Sequence, residues 1–259
     1  MWSRYVALGD SQTEGLNDRH PDGTPRGWAD RFAETLAATT SPELRYANLA
    51  VRGCRSKHVR HEQLPAALAL KPDLATVAVG MNDVLRHDFD LLATARDIEE
   101  TIAALAETGC TVLTMTFPDI ARMLPVMSWL RPREVALNER VIDIAKRYDV
   151  AVLDVFPLEM CSDPRIWSHD RIHGSSEGHR RIAAGVAELV GLPGVDADWA
   201  TLSPDTSRQS LVGVVRRDAW WAASFLVPWL ARQVLRRSTG ADVAKRPELT
   251  PVLPTPSGR

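Results

Sequence analysis

The stretch Tyr5-Val6-Ala7-Leu8-Gly9-Asp10-Ser11-Gln12-Thr13-Glu14-Gly15 decides how the chain is to be read. Its first four residues are apolar without polar alternation, as in a strand covered on both faces. The run then stops at a glycine and passes into a polar block. Four further short apolar runs repeat the strand pattern: Tyr46–Ala50, Leu74–Val79, Thr111–Met115 and Ala151–Asp154. Between them, apolar residues recur at helical spacing. Trp28, Phe32 and Leu36 form one stripe; Leu91, Ala95, Ile98, Ile102 and Leu105 a second; Leu137, Val141, Ile144 and Tyr148 a third; Ile182, Val186 and Leu189 a fourth. Gly109 stands where a helix must end before the strand at Thr111. Strands alternating with helices predict an α/β fold, a parallel sheet wrapped by helices.

The bulk composition removes several alternatives. Of 259 residues, 31 are Lys or Arg and 33 Asp or Glu, a net charge of −2, which excludes a strongly basic nucleic-acid-binding face. Cys54, Cys110 and Cys161 fit neither a disulfide framework nor a metal pattern, so reduced buried thiols are expected. The amino terminus lacks the basic start, apolar stretch and small-residue cleavage site of a secretory signal, which makes cytoplasmic the default expectation. Three regions are delineated: a main domain over 1–190, an extension over 191–237 with an aromatic helix, and a Pro- and charge-rich tail over 238–259, extended or disordered. Phe117–Pro132, apolar and broken by prolines, is either a pocket wall or lid or a packed loop.

In an open parallel sheet, reactive groups gather at the carboxyl ends of the strands. Four strands deliver such groups here: Gly9-Asp10-Ser11 after the first, Asn48 to Gly53 at the second, Gly80-Met81-Asn82-Asp83 after the third, and Asp170-Arg171-Ile172-His173 after the fifth. A Gly-Asp-Ser tripeptide alone is more often a turn than a site; the four blocks in this order are specific. Acyl transfer needs a serine activated by a base, a histidine held in its tautomer by a carboxylate, and donors for the oxyanion. Ser11, His173 and Asp170 suit the first three roles. The backbone N–H groups of Ser11 and Gly53 and the Asn82 amide suit the fourth. No cluster of Asp, His or Cys at ligand spacing calls for a metal, and no cofactor is expected.

These blocks resemble those of the SGNH hydrolases, the GDSL-like lipase/esterase/acylhydrolase superfamily. Ser11, Gly53, Asn82 and His173 stand at the four positions of that name, and Asp170 at the aspartate preceding the histidine. The resemblance extends from about Arg4 to Val190 and includes Gly27-Trp28 and Gly178-His179. It implies a three-layer α/β/α, flavodoxin-like fold with a five-stranded parallel sheet. It also implies a serine esterase acting on a small-molecule ester or acyl substrate, with Ser11, Asp170 and His173 as triad. An acyltransferase with the same apparatus, moving the acyl group to an alcohol or sugar hydroxyl, is the nearest alternative. A non-catalytic binding or membrane-attached module is a more distant one. Two departures, Gln12 where the family has leucine and Cys54 after Gly53, are read as minor.

Other polar residues are assigned structural roles. Asp10, Glu14 and Asp83 are expected to brace loops, His179 to make a structural hydrogen bond, and the remaining histidines to be solvated; Arg52 and Arg55, which flank Gly53, are read as solvated in preference to meeting an anionic substrate. In the extension, Trp220, Trp221, Phe225 and Trp229 lie within a helical reading of Leu211–Arg237. Its uncharged run over 219–231 is too short to span about 30 Å of hydrocarbon. Packing on the domain or self-association is preferred over peripheral contact with an anionic membrane.

Overall fold

The computed structural model describes residues 1–202 and 244–252, with Trp220, Trp221, Ala223, Ser224 and Pro228 between them. The five apolar runs form β1 (Arg4–Gly9), β2 (Arg45–Asn48), β3 (Leu74–Ala78), β4 (Thr111–Met115) and β5 (Ala151–Leu153). All are parallel, in the order β5-β4-β3-β1-β2. That is the flavodoxin-like arrangement, and its order reverses at β1, whose two neighbours are β2 and β3.

Alternate residues of a strand face opposite sides of the sheet, so each strand feeds two cores. Val6, Leu8, Ala75, Val77 and Val112 pack beneath α4 (Leu91–Ala106) and α5 (Arg131–Arg147), which bring Ile98, Ile102, Leu137 and Val141. Tyr5, Ala7, Tyr46 and Leu113 pack beneath α2 (Gly27–Thr39) and α6 (Ser176–Leu189), which bring Trp28, Phe32, Leu36 and Val186. The helical stretch after β2 ends in α3 (Leu64–Leu70) on the first face, and the short α1 (Ser11–Glu14) follows β1 directly. Helices on both faces wrap the parallel sheet as the alternation of elements predicts, and make the three layers that the family resemblance implies.

One strand was not foreseen. Within the segment taken as a tail, Arg246–Pro251 forms β6, which pairs antiparallel with β2 and makes the sheet six-stranded. The physical reason is the open edge of β2, whose unpaired N–H and C=O groups accept another strand. The helical reading of 211–237 lies outside the described residues except at the five positions named above. Among the described residues no helix is long and apolar enough to cross a membrane.

Candidate active site

Ser11 opens α1, and the Asp10 side chain caps that helix by accepting from Gln12 N. The switch at β1 therefore sets Ser11 at the carboxyl edge of the sheet. From the far end of the domain, the Asp170–His173 turn returns to meet it. His173 Nε2 lies 2.8 Å from Ser11 Oγ, and His173 Nδ1 lies 2.8 Å from Asp170 Oδ2. With Nδ1–H donated to Asp170, a neutral His173 presents Nε2 as acceptor for the Ser11 hydroxyl. Burial works against the Asp170 charge, but the hydrogen bond and charge of His173 and the N–H groups of His173 and Ile172 outweigh it. The carboxyl is thereby held far below the usual carboxylate range.

The other two blocks close on the same place. The Asn82 amide nitrogen donates to Asp10 Oδ2 at 3.1 Å and to the Cys54 carbonyl at 2.9 Å, linking the chain next to Ser11 with the chain next to Gly53. Gly53 has φ +77°, and a Cβ there would meet nothing within 4 Å. Glycine is called for by this left-handed backbone rather than by crowding. Asp10 is buried, which pushes its pKa up to about 6 despite the Gln12 N–H and the nearby His173. Asp83 accepts from Ser56 N and Oγ and from Arg55 Nε, bracing the loop as expected.

Several side chains differ from their sequence reading. Arg52 and Arg55 are not simply solvated. Arg52 is paired with Glu14, which also accepts from Arg52 N, and Arg55 is paired with Asp83 and Asp88. The opposite charges that capture them come from other blocks and are invisible in local sequence. His20, read as solvated, lies 3.3 Å from the buried Asp30. His179 is the structural histidine expected: its Nδ1 accepts from Trp28 N, and its Nε2 donates to Leu16 O. Burial lowers its pKa to about 4, so it stays neutral. The glycines before Trp28 and His179 are close-approach points. A Cβ on Gly27 would lie 2.3 Å from Gly15 Cα, and one on Gly178 2.1 Å from Ile166 O.

Two bracing residues escaped the sequence reading. Gln12 donates to Ile172 O at 2.8 Å and accepts from Gly174 N at 3.3 Å, clasping the backbone on both sides of His173. Asn17, at φ +66°, donates to Asp170 Oδ2 at 2.7 Å and to Ser168 Oγ at 2.9 Å. Gln12 differs from the family's leucine, and that difference was its one visible signal.

An apolar cavity of about 140 Å³ adjoins the triad. Met81, Leu85, Met115, Phe117, Met123 and Met127 are among its walls, so the proline-broken segment is a pocket wall. Ser11 and His173 do not line it; their chain neighbours Asp10, Gln12, Ile172 and Gly174 do.

Fold and site together define a hydrolase of the SGNH kind. The pattern of the GDSL-like lipase/acylhydrolase family matches residues 7–181, and the chain belongs to that family. Among solved structures it is similar to LAE5, an α/β hydrolase enzyme from the metagenome of Lake Arreo, Spain. The two are 22% identical, with a TM-score of 0.61, over 73% of this chain and 95% of the other. It is similar to Axe2, an acetylxylan esterase from Geobacillus stearothermophilus: 19% identical, TM-score 0.60, over 75% and 97%. It is also similar to TesA: 21% identical, TM-score 0.62, over 73% and 98%. No curated protein sequence matches the chain.

Proposed function

We propose that this protein is a serine esterase that cleaves carboxylic esters through an acyl-serine intermediate. The reading rests on the relay from Asp170 through His173 to Ser11, with 2.8 Å at both links. Ser11 Oγ attacks the ester carbonyl while its proton passes to His173 Nε2. The tetrahedral oxyanion is met by Ser11 N–H, Gly53 N–H and the Asn82 amide, which turns one N–H from its resting acceptor. As the C–O bond breaks, the alcohol leaves with the proton from His173, and the acyl group stays on Ser11. Water, deprotonated by His173, then adds to the acyl carbonyl. Collapse breaks the bond to Ser11 Oγ, which regains the proton as the carboxylic acid departs. In support, catalytic mutants of Axe2 replace a histidine, a serine and an aspartate, the same three residue types.

The apolar cavity favours an acyl group longer than acetyl. Cavities of about 150 Å³ hold a benzene molecule, which suggests a chain of about six carbons here. The test is an ester series from acetyl to long acyl, with a fluorophosphonate as covalent probe. Single labelling at Ser11, loss of turnover in Ser11→Ala, and a rate maximum beyond acetyl support the proposal. Labelling elsewhere, or full activity of Ser11→Ala, overturns it. Transfer of the acyl group to an added alcohol, in place of free acid, would instead identify an acyltransferase.

A further inference from the structure

The turn that carries Asp170 and His173 is gripped from outside the family-matched part of the chain. Trp221 is 5% exposed, and its indole N–H donates to the backbone carbonyl of Asp170 at 3.0 Å. Its ring lies against the guanidinium of Arg171, 4.8 Å from the ring centroid. Arg171 has φ +57°, a left-handed conformation that a residue with a Cβ adopts at a cost, and it sits between Asp170 and His173. Its N–H is given to Ser168 O, and Ser168 N–H to His173 O, so the turn is tight.

The grip on this turn divides between two parts of the chain. The Asp170 carboxylate is held by Ser168, Asn17, Ile172 and His173, all within 7–181. The carbonyl on the same residue is held by Trp221, forty residues beyond the end of the family match. A carboxylate that orients a histidine is only as well placed as the backbone carrying it, and a shift of about 1 Å in such a group costs about 10²-fold in rate.

Resting on the esterase reading, we propose that Trp221 is a positioning residue for the triad, supplied by the C-terminal extension. It fixes the Asp170 carbonyl through its N–H and the strained Arg171 through its ring, so that His173 meets Ser11 Oγ. Trp221 touches no reacting atom. Its effect is transmitted through the turn.

The test uses the full-length chain with Trp221→Phe, Trp221→Leu and, as control, Trp220→Phe at a neighbouring tryptophan that is 64% exposed. Phenylalanine keeps an aromatic ring against Arg171, smaller than the indole, and removes the N–H; leucine removes both ring and N–H. The readouts are kcat and KM, the rate of fluorophosphonate labelling of Ser11, the downfield proton resonance of His173 Nδ1–H, and Tm. The expected losses in kcat and labelling rate are about 10-fold for Trp221→Phe and about 10²-fold for Trp221→Leu, with KM changed less than twofold. The His173 resonance should broaden in the same order, and Trp220→Phe should match the wild type. If Trp221→Leu fails to fold, Trp221→Phe decides. Wild-type kcat, labelling and resonance in Trp221→Phe, whatever its Tm, would leave Trp221 as packing only and overturn the proposal. A wild-type protein that takes no label at Ser11 would instead sink the esterase reading, while the His173 resonance still reports whether Trp221 holds the turn.

Discussion

The side-chain amide of Asn82 donates to Oδ2 of Asp10, the residue immediately before Ser11, across 3.1 Å. The same nitrogen reaches the Cys54 carbonyl, so both of its protons have acceptors at rest. An oxyanion on the Ser11 adduct would compete for one of them. Because that charge exists only in the transition state, Asn82→Ala is expected to lower kcat by about 10²–10³-fold while KM changes little. Steady-state kinetics on one ester measure the split. A variant with raised KM and normal kcat would place Asn82 in ground-state recognition instead.

Gln12→Leu gives the first block the family's usual sequence and yet removes the clasp around His173. The Ile172 carbonyl and Gly174 N–H, both partly buried, lose their partner. A buried hydrogen-bonding group left unpaired costs about 1–3 kcal/mol. Tm should therefore fall, and kcat should fall by roughly 10-fold as His173 gains freedom. Equal or greater activity in Gln12→Leu would mean that the loop holds itself.

The contrast between Gln12 and Asp170 shows what the sequence makes legible. Asp170 and His173 are three residues apart, and their partnership needs only a turn, so spacing reveals it. Gln12 acts across 160 residues, and nothing local marks its amide as aimed at the Ile172 carbonyl. The same holds for Arg52 with Glu14 and Arg55 with Asp83, pairs that exist only because the blocks converge. The five parallel strands were legible because burial on both faces forces continuous apolar runs. Strand β6 was not. Arg-Pro-Glu-Leu-Thr-Pro carries two prolines and mixed polarity, which an antiparallel edge tolerates and a central strand does not.

Glu134 supplies a pH signature independent of the triad. It is fully buried at the start of α5, where it accepts from Ile120 N through Oε2, while Oε1 has no hydrogen-bond partner among the described residues. Burial pushes its pKa up from 4.5 to about 8, with Asp119 adding to the rise. A group whose folded pKa lies above its unfolded value favours the folded state when protonated. Its contribution is full below pH 4.5 and is lost as pH rises through about 8. Glu134→Gln removes the titration, so a wild-type fall in Tm across that window should flatten in the variant. Parallel Tm profiles from pH 4 to 9 would show that Glu134 does not titrate in this range.

The C-terminal strand should be structural, and Lys245 is where that can be tested with one substitution. Lys245 Nζ lies 2.9 Å from Asp30 Oδ1 and donates to the carbonyls of Pro25 and Arg26, so it closes off the start of α2. Asp30 also accepts from Tyr46 OH, and Asn48 in turn donates to that hydroxyl and to the Thr13 carbonyl in α1. The buried network thus runs from Lys245, the residue immediately before β6, to the helix that carries Ser11. Lys245→Met keeps the length of the side chain but leaves Asp30 and two carbonyls without their cation. Removing one partner of a buried pair costs about 3 kcal/mol or more, and for a domain of this size that is about 6–12 °C in Tm. Deletion of residues 203–259 should cost more, because it also uncovers the edge of β2, and an uncovered edge pairs with other chains. Thermal melts and light scattering on both variants measure this. A truncated chain that melts with the wild type and stays monodisperse would make β6 an accessory strand that neither stabilises the sheet nor protects its edge.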